Sequence, residues 1–291
     1  MDLNTYLRNR FGKKLYKLPI NAGFTCPNRD GTKGDKGCIF CSGSGSGDFA
    51  PDPLMSVKEQ LDLSKERVAS KLPKSDHGFI AYFQAFTNTY APVERIKSLY
   101  MEAINYPGVE VLSVATRPDC LPYEVLDLLS ELNEIKPVWV ELGLQTIHEE
   151  SAKYIRRGYP LSVYDEAVSH LKERGLETIV HVILGIPGET KEDMLSTVKY
   201  VAESGVQGIK LQLLHVLEGT DLADEYRAGK FECMTIEEYV ELVHKCLSVI
   251  PRDMVIHRIT GDGAKRLLIA PKWSGDKKRV LNMINRQSSG M

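Results

Sequence analysis

The sequence predicts an α/β fold, and three features carry that expectation. Strand-like and helix-like segments alternate from about residue 15 to about residue 215, the strands read as apolar on both faces, and polar or Gly-rich residues recur where strands end. The candidate strands are LYKLPIN (15–21), FIAYFQ (79–84), VEVLSVATR (109–117), VWVELGLQ (138–145), TIVHVILG (178–185) and GIKLQLLHV (208–216). Runs of β-branched and aromatic residues with little alternation are the pattern of parallel strands covered on both sides. Helices are expected near 53–72, 92–106, 122–134, 149–174 and 190–204, the fourth broken at Gly158 and Pro160.

Strands joined through helices give a parallel sheet with right-handed crossovers, either open or curled into a closed or partial barrel. Six such units are too few for a full eight-fold barrel. Beyond residue 215 the rhythm weakens to a helix near 235–249, a short strand MVIHR and one or two basic terminal helices. This divides the chain into a main domain over 1–215 and a C-terminal α/β extension over 216–291.

With 291 residues, 43% of them hydrophobic, the chain can bury a full core and is no disulfide-stapled miniature. Its formal net charge of −2 excludes a polyanion mimic or a histone-like coat, so a charged partner must meet a local patch. No apolar run approaches the ~20 residues that span a bilayer, and the N-terminus has no apolar signal core. A cytoplasmic protein without a membrane partner is expected.

The sharpest local feature is CPNRDGTKGDKGCIFC, which sets Cys26, Cys38 and Cys41 in a loop directly after the first strand. A structural zinc ion wants four ligands, but no histidine precedes His77 and no fourth cysteine precedes Cys120. A zinc deaminase needs an upstream His-x-Glu element, which is missing. A thioredoxin-like pair of Cys38 and Cys41 leaves Cys26 unexplained, and three cysteines coincident in a surface loop fit poorly with the usual burial of free cysteine. An iron–sulfur cluster with three protein thiolates and one open iron fits the count.

The three cysteines, with Phe40 just before the last, resemble the radical S-adenosylmethionine (SAM) superfamily, in the branch whose first spacing is widened as in the elongator catalytic subunit. Further elements match in order over roughly residues 5 to 285: VELGLQT, RRGY and HVILGIPGET resemble the elongator-like and coproporphyrinogen-dehydrogenase-like branch. CPNRDG, FQAFTNTYAP, VATRPDCLP, LLHVLEGT, HRITGDG and APKWS together resemble one bacterial family close to it. The resemblance implies a partial (β/α)6 barrel and a [4Fe-4S] cluster on Cys26, Cys38 and Cys41. It further implies SAM bound at the open iron and a 5′-deoxyadenosyl radical made with one electron from a low-potential donor such as flavodoxin or ferredoxin. For the bacterial family it implies modification of the tRNA wobble uridine, taking a carboxymethylaminomethyl side chain toward the aminomethyl form.

Candidate SAM contacts follow at the strand ends: Phe40; Gln84, Thr87 and Asn88, where a Gly-Gly-Glu element is commoner in the family; Thr116 and Arg117; Glu141 and Gln145; Arg157; and Gly185, Ile186 and Gly188. Glu141 is a charge on an apolar strand, costly unless paired, and so a candidate for a ribose or amine contact. Arg117 and Arg157 suit a carboxylate or a rim salt bridge equally, and Gly-x-Pro-Gly also makes a plain strand-to-helix turn. His181 and His215 are read first as hydrogen-bonded core histidines and second as acid–base groups. Cys120, Cys233 and Cys246 are read as inert buried residues.

Basic residues concentrate at the two ends. Arg252, Arg258, Lys265, Arg266, Lys272, Lys277, Lys278, Arg279 and Arg286 face Asp253, Asp262 and Asp276, while Arg8, Arg10, Lys13, Lys14 and Lys17 face Asp2. Such ends suit phosphate contacts or solvated helix faces. Two other functions stay open: a radical SAM enzyme acting on a small metabolite, and a non-catalytic iron–sulfur protein that binds RNA.

Overall fold

The computed structural model describes residues 1–73, 76–261 and 263–288; Asp262, counted above, lies outside them. It forms each expected strand to within a few residues: β1 (Lys14–Ile20), β2 (His77–Phe83), β3 (Val109–Thr116), β4 (Val138–Gln145), β5 (Glu177–Leu184) and β6 (Gly208–Leu213). Short strands β7 (Val216–Leu217), β8 (Val255–Arg258) and β9 (Leu268–Ala270) follow. The helices are α1 (Leu3–Phe11), α2 (Val57–Val68), α3 (Val93–Ile104), α4 (Tyr123–Asn133), α5 (Glu149–Tyr154), α6 (Leu161–Glu173) and α7 (Lys191–Glu203), then α8 (Asp221–Arg227), α9 (Ile236–Val249) and α10 (Lys277–Ser288). The expected break in the fourth helical stretch falls between α5 and α6, where Arg156 and Gly158 both take positive φ.

Seven strands pair in parallel in the order β1-β2-β3-β4-β5-β6-β8, and β7 pairs with β9 in a separate antiparallel ribbon. Spatial order equal to chain order means that the sheet winds in one direction, as in a barrel, and never reverses as in a doubly wound sheet. The seventh strand comes from residues that the sequence places in the C-terminal extension. It is the short strand MVIHR expected there, here joined to the main sheet beside β6.

Alternation along the strands sorts side chains between two sides. Ala81, Phe83, Val140, Leu142, Leu144, Ile209 and Leu211 face outward into the large core under the helices. Leu15, Ile80, Val111, Trp139 and Ile179, one from each of β1 to β5, converge on Leu7 of α1. Side chains of five consecutive strands meet on one helix only if the sheet curls, and α1 plugs the floor of the resulting half-barrel. Strand–helix alternation in the sequence does not announce α1, although the segment carries both end signals: the Asp2 side chain accepts from the Thr5 N–H, and Gly12 closes the helix with φ +69°. Among the described residues no helix is long and apolar enough to cross a membrane.

Candidate active site

One layer above the apolar floor, the barrel interior turns polar around Glu141. Its Oε1 accepts from Lys17 Nζ at 3.0 Å and Ser113 Oγ at 2.9 Å, and its Oε2 accepts from His181 Nε2 at 2.9 Å and from Lys210 Nζ. Burial opposes the charge on Glu141, but the ammonium groups of Lys17 and Lys210 outweigh it and hold the carboxyl well below its usual range. Burial, together with the charge on Lys210, pushes His181 down to about 4, so its imidazole is neutral at physiological pH. The His181 Nδ1 then accepts from Gln212 Nε2 at 3.2 Å, and the Gln212 Oε1 accepts from Arg258 at 3.4 Å.

Above this layer the interior opens into a cavity of ≈270 Å³ at the C-terminal ends of the strands. The cysteine loop forms one wall of it. After Cys26 the chain turns, with Arg29 N–H donating to the Cys26 carbonyl; the wide excursion is closed by Lys33 and Gly34 N–H groups on the Pro27 carbonyl, and Cys41 N–H donates to the Cys38 carbonyl. The Arg29 guanidinium ties the far end, donating to the carbonyls of Cys41 at 2.9 Å and Ser42 at 2.8 Å. The long first spacing is thus a loop folded back on itself, which returns Cys38 and Cys41 to the cavity that Cys26 lines.

All three cysteines are free thiols, and burial pushes Cys38 up to about 12 and raises Cys41 as well. Among the described residues no three His, Cys, Asp or Glu side chains gather around a point fit for a single metal ion, whereas a cubane cluster takes each thiolate on a separate iron. Three soft donors on one wall of the cavity fit such a cluster.

Of the residues expected at the site, the structure brings Phe40, Gln84, Thr87, Thr116, Arg117, Glu141, Gln145 and Arg157 to the lining of this cavity beside the cysteines. Gln145 ends β4 with φ +72°, and its buried Oε1 finds no partner among the described residues, as a ligand contact would require. Arg117 is clamped by Asp119 through two bonds of 2.9 Å. Arg157 spends its guanidinium on the carbonyls of Tyr159 and Thr146 and on Glu149, closing the turn between α5 and α6.

Four expected residues lie elsewhere. Asn88 is fully buried and ties β2 to β3, its Nδ2 donating to the Ala115 carbonyl at 2.9 Å. Gly185, Ile186 and Gly188 do not line the cavity: they form the turn into α7, where Glu189 N–H donates to the Ile186 carbonyl and Thr190 caps the helix. Of the two histidines, His181 sits in the Glu141 network and His215 lines the cavity.

Sequence reasoning missed Tyr82, Lys210 and Gln212, and read Lys17 and Arg258 only as members of the basic ends. The signal that flagged Glu141 was present for two of them, since Lys17 and Lys210 are also charges inside apolar strands. Of the N-terminal basic residues, Lys17 reaches this site through Glu141, whereas Arg10 and Lys13 are engaged away from it. Arg10 pairs with Glu177 and Lys13 with Glu110, both at the strand starts beside the floor.

A family model for the radical SAM superfamily matches residues 23–201, and one for the radical SAM C-terminal domain matches 206–289. The chain belongs to the radical SAM superfamily. As a radical SAM protein it takes a [4Fe-4S] cluster and SAM as cofactors. It is 46% identical over 285 residues to the uncharacterized protein YtqA of Bacillus subtilis, covering 98% of this chain and 88% of that one. It is also 28% identical over 154 residues to the tRNA uridine(34) acetyltransferase of Methanocaldococcus jannaschii, covering 52% of this chain and 28% of that protein. Among solved structures, the radical SAM chain resembles the archaeal elongator protein Elp3 of Methanocaldococcus infernus with a TM-score of 0.69 at 19% identity, covering 95% of this chain and 64% of that one. That likeness supports the half-barrel fold.

Proposed function

We propose that this radical SAM enzyme modifies the wobble uridine of tRNA, taking its carboxymethylaminomethyl side chain toward the aminomethyl form. The observation that carries the reading is the convergence of Cys26, Cys38 and Cys41 with the polar strand ends on one cavity. Cys26, Cys38 and Cys41 would hold the cluster, with Gln84, Thr87, Thr116 and Gln145 beside it to orient SAM. Bound there, the cluster supplies the electron, drawn from a low-potential donor protein, that turns SAM into a source of the 5′-deoxyadenosyl radical.

The chain's own part is placement and exclusion of water, because a radical reacts with whatever hydrogen lies nearest. Phe40, Tyr82, Phe86 and Tyr159 give the cavity apolar walls. Phe49 lines its mouth while 48% exposed, a position suited to stacking on a base drawn out of an RNA loop. Exposed Lys265 and Arg266 follow closely on the cavity-lining Gly263 and suit phosphate contacts. The partial likeness to a tRNA uridine(34) acetyltransferase supports the same class of substrate.

The test is mass spectrometry of tRNA nucleosides from a strain lacking the gene and its redundant paths. Accumulation of carboxymethylaminomethyluridine with loss of the aminomethyl form is expected. An unchanged nucleoside profile would refute the assignment.

A further inference from the structure

Between Gly263 and Ser288 seven lysines and arginines stand against one acid, Asp276, although the whole chain has a formal charge of −2. Lys265, Arg266, Lys278, Arg279 and Arg286 are exposed, and none of the five makes an ion pair among the described residues. Exposed cations just before this stretch are matched to acids instead, Arg227 to Glu218 and Lys245 to Glu241. Lys277, Lys278 and Arg279 moreover fill the first turn of α10, which holds no acid, and the helix dipole disfavours positive charge there. The stability of the helix therefore does not account for their placement.

The stretch is tied to the rim on which the cavity opens. Gly263 lines the cavity, and β9 pairs with β7, whose Leu217 lines it too. Trp273 then packs on Tyr239, with ring centroids 5.5 Å apart, and donates through Nε1 to the Met234 carbonyl at 3.0 Å. A Cβ on Gly185, the residue that follows β5, would stand 3.0 Å from Met234 Cε, so Trp273 sets the start of α10 on the strand-end side of the barrel. From Lys278 to Arg286 the helix runs on for about 12 Å, and Arg279 and Arg286, two turns apart, share one face.

The partner follows from what accompanies these charges. No large apolar side chain of the stretch is exposed, and Val280 and Ile284 are buried in the core against α9. A helix that spends its apolar face inside the protein has none to lay in a bilayer, and a protein partner would want apolar anchors. Exposed cations without apolar neighbours suit a row of phosphates.

We infer that the face of Lys265, Arg266, Lys278, Arg279 and Arg286 docks the phosphate backbone of a base-paired RNA stem. On the tRNA reading above, on which this rests, the base enters the cavity from the loop while the stem lies along this face, which senses charge and no sequence.

An anticodon stem-loop bearing carboxymethylaminomethyluridine is titrated onto the reconstituted enzyme with SAM over a range of salt, for the wild type and for Arg279→Glu/Arg286→Glu. The variant should bind roughly tenfold more weakly, with a slope of log affinity against log salt smaller by about 2. Its KM for the stem-loop should rise with kcat unchanged, and the 5′-deoxyadenosine formed without RNA should stay the same. Lys71→Glu/Lys199→Glu makes the same change in net charge at two other exposed lysines and should bind as the wild type does. An undiminished affinity and slope in the first variant, or equal weakening in both, overturns the inference. So does binding to phosphatidylglycerol vesicles that the first variant abolishes while its RNA affinity stays, which would give the face to a membrane. If the stem-loop does not bind, the tRNA reading fails by itself; an RNA hairpin of unrelated sequence then tests the face alone, variant-sensitive binding upholding it and absence of binding overturning it. Iron content and melting temperature report whether Arg279→Glu/Arg286→Glu folds; Arg279→Gln/Arg286→Gln, with a smaller loss in the same direction, replaces it if it does not.

Discussion

Lys17 on β1 and Glu141 on β4 form an ion pair of 3.0 Å, although β2 and β3 lie between their strands in the sheet. Neighbouring strands run about 4.8 Å apart, so in a flat sheet this pair would be separated by roughly 14 Å. Lys210 reaches the same carboxylate from β6 on the other side. With Ser113 on β3 and His181 on β5 also bonded to it, the carboxylate gathers five strands of the half-barrel around one buried charge. Glu141→Gln should cost about 3–5 kcal/mol, because it leaves Lys210 buried, and Lys17 half-buried, around a neutral group. Urea denaturation measures it, and the double variant Glu141→Gln/Lys210→Met should recover part of the loss.

Acid should weaken the same network through His181. Its folded-state pKa lies at about 4, below the 6.5 of the unfolded chain, so below pH 6.5 the unfolded state takes up a proton that the folded state refuses. The stability conferred by the neutral ring is fully present above pH 6.5 and is lost as pH falls toward 4, up to about 3 kcal/mol. Denaturation midpoints measured across that window should fall for the wild type and fall less for His181→Asn, which keeps a donor and an acceptor but cannot titrate.

Gly37 and Gly31 both take positive φ in the cysteine loop, yet they should respond differently to alanine. A Cβ at Gly37 would stand 2.8 Å from Arg29 Nε, while one at Gly31 meets nothing within 4 Å. Gly31→Ala should cost only backbone strain, about 1 kcal/mol. Gly37→Ala should also displace the guanidinium that ties Cys41 and Ser42, and so lower the iron bound per chain after reconstitution. Equal iron in the two variants would show that Arg29 does not hold the loop.

Much of this architecture is legible in the sequence because long parallel strands write their burial into composition. The six main strands and the break between α5 and α6 follow from apolar runs and from Gly158 and Pro160. What sequence reasoning could not reach are relations across the barrel. That Glu141 is engaged by Lys17 and Lys210 depends on the curl of the sheet, and neither lysine is near it in the chain. Gly185 and Gly188 match a motif by spacing, but their place is a turn outside the cavity, and Asn88 is drawn inward to clasp a strand end. Short elements also escape: β9 and α8 have too few residues to show a period. The cysteine loop stands out in the sequence because three soft ligands in one loop are a signal that needs no tertiary context.

The central claim is that Cys26, Cys38 and Cys41 hold a cluster that supports radical chemistry on SAM. It is tested most directly by reconstituting the protein anaerobically with iron and sulfide, adding SAM and a strong reductant, and measuring 5′-deoxyadenosine against the variant with all three cysteines changed to alanine. The account predicts product from the wild type and none above background from the variant. A wild type that binds a cluster yet forms no 5′-deoxyadenosine, or equal product from both proteins, would contradict it.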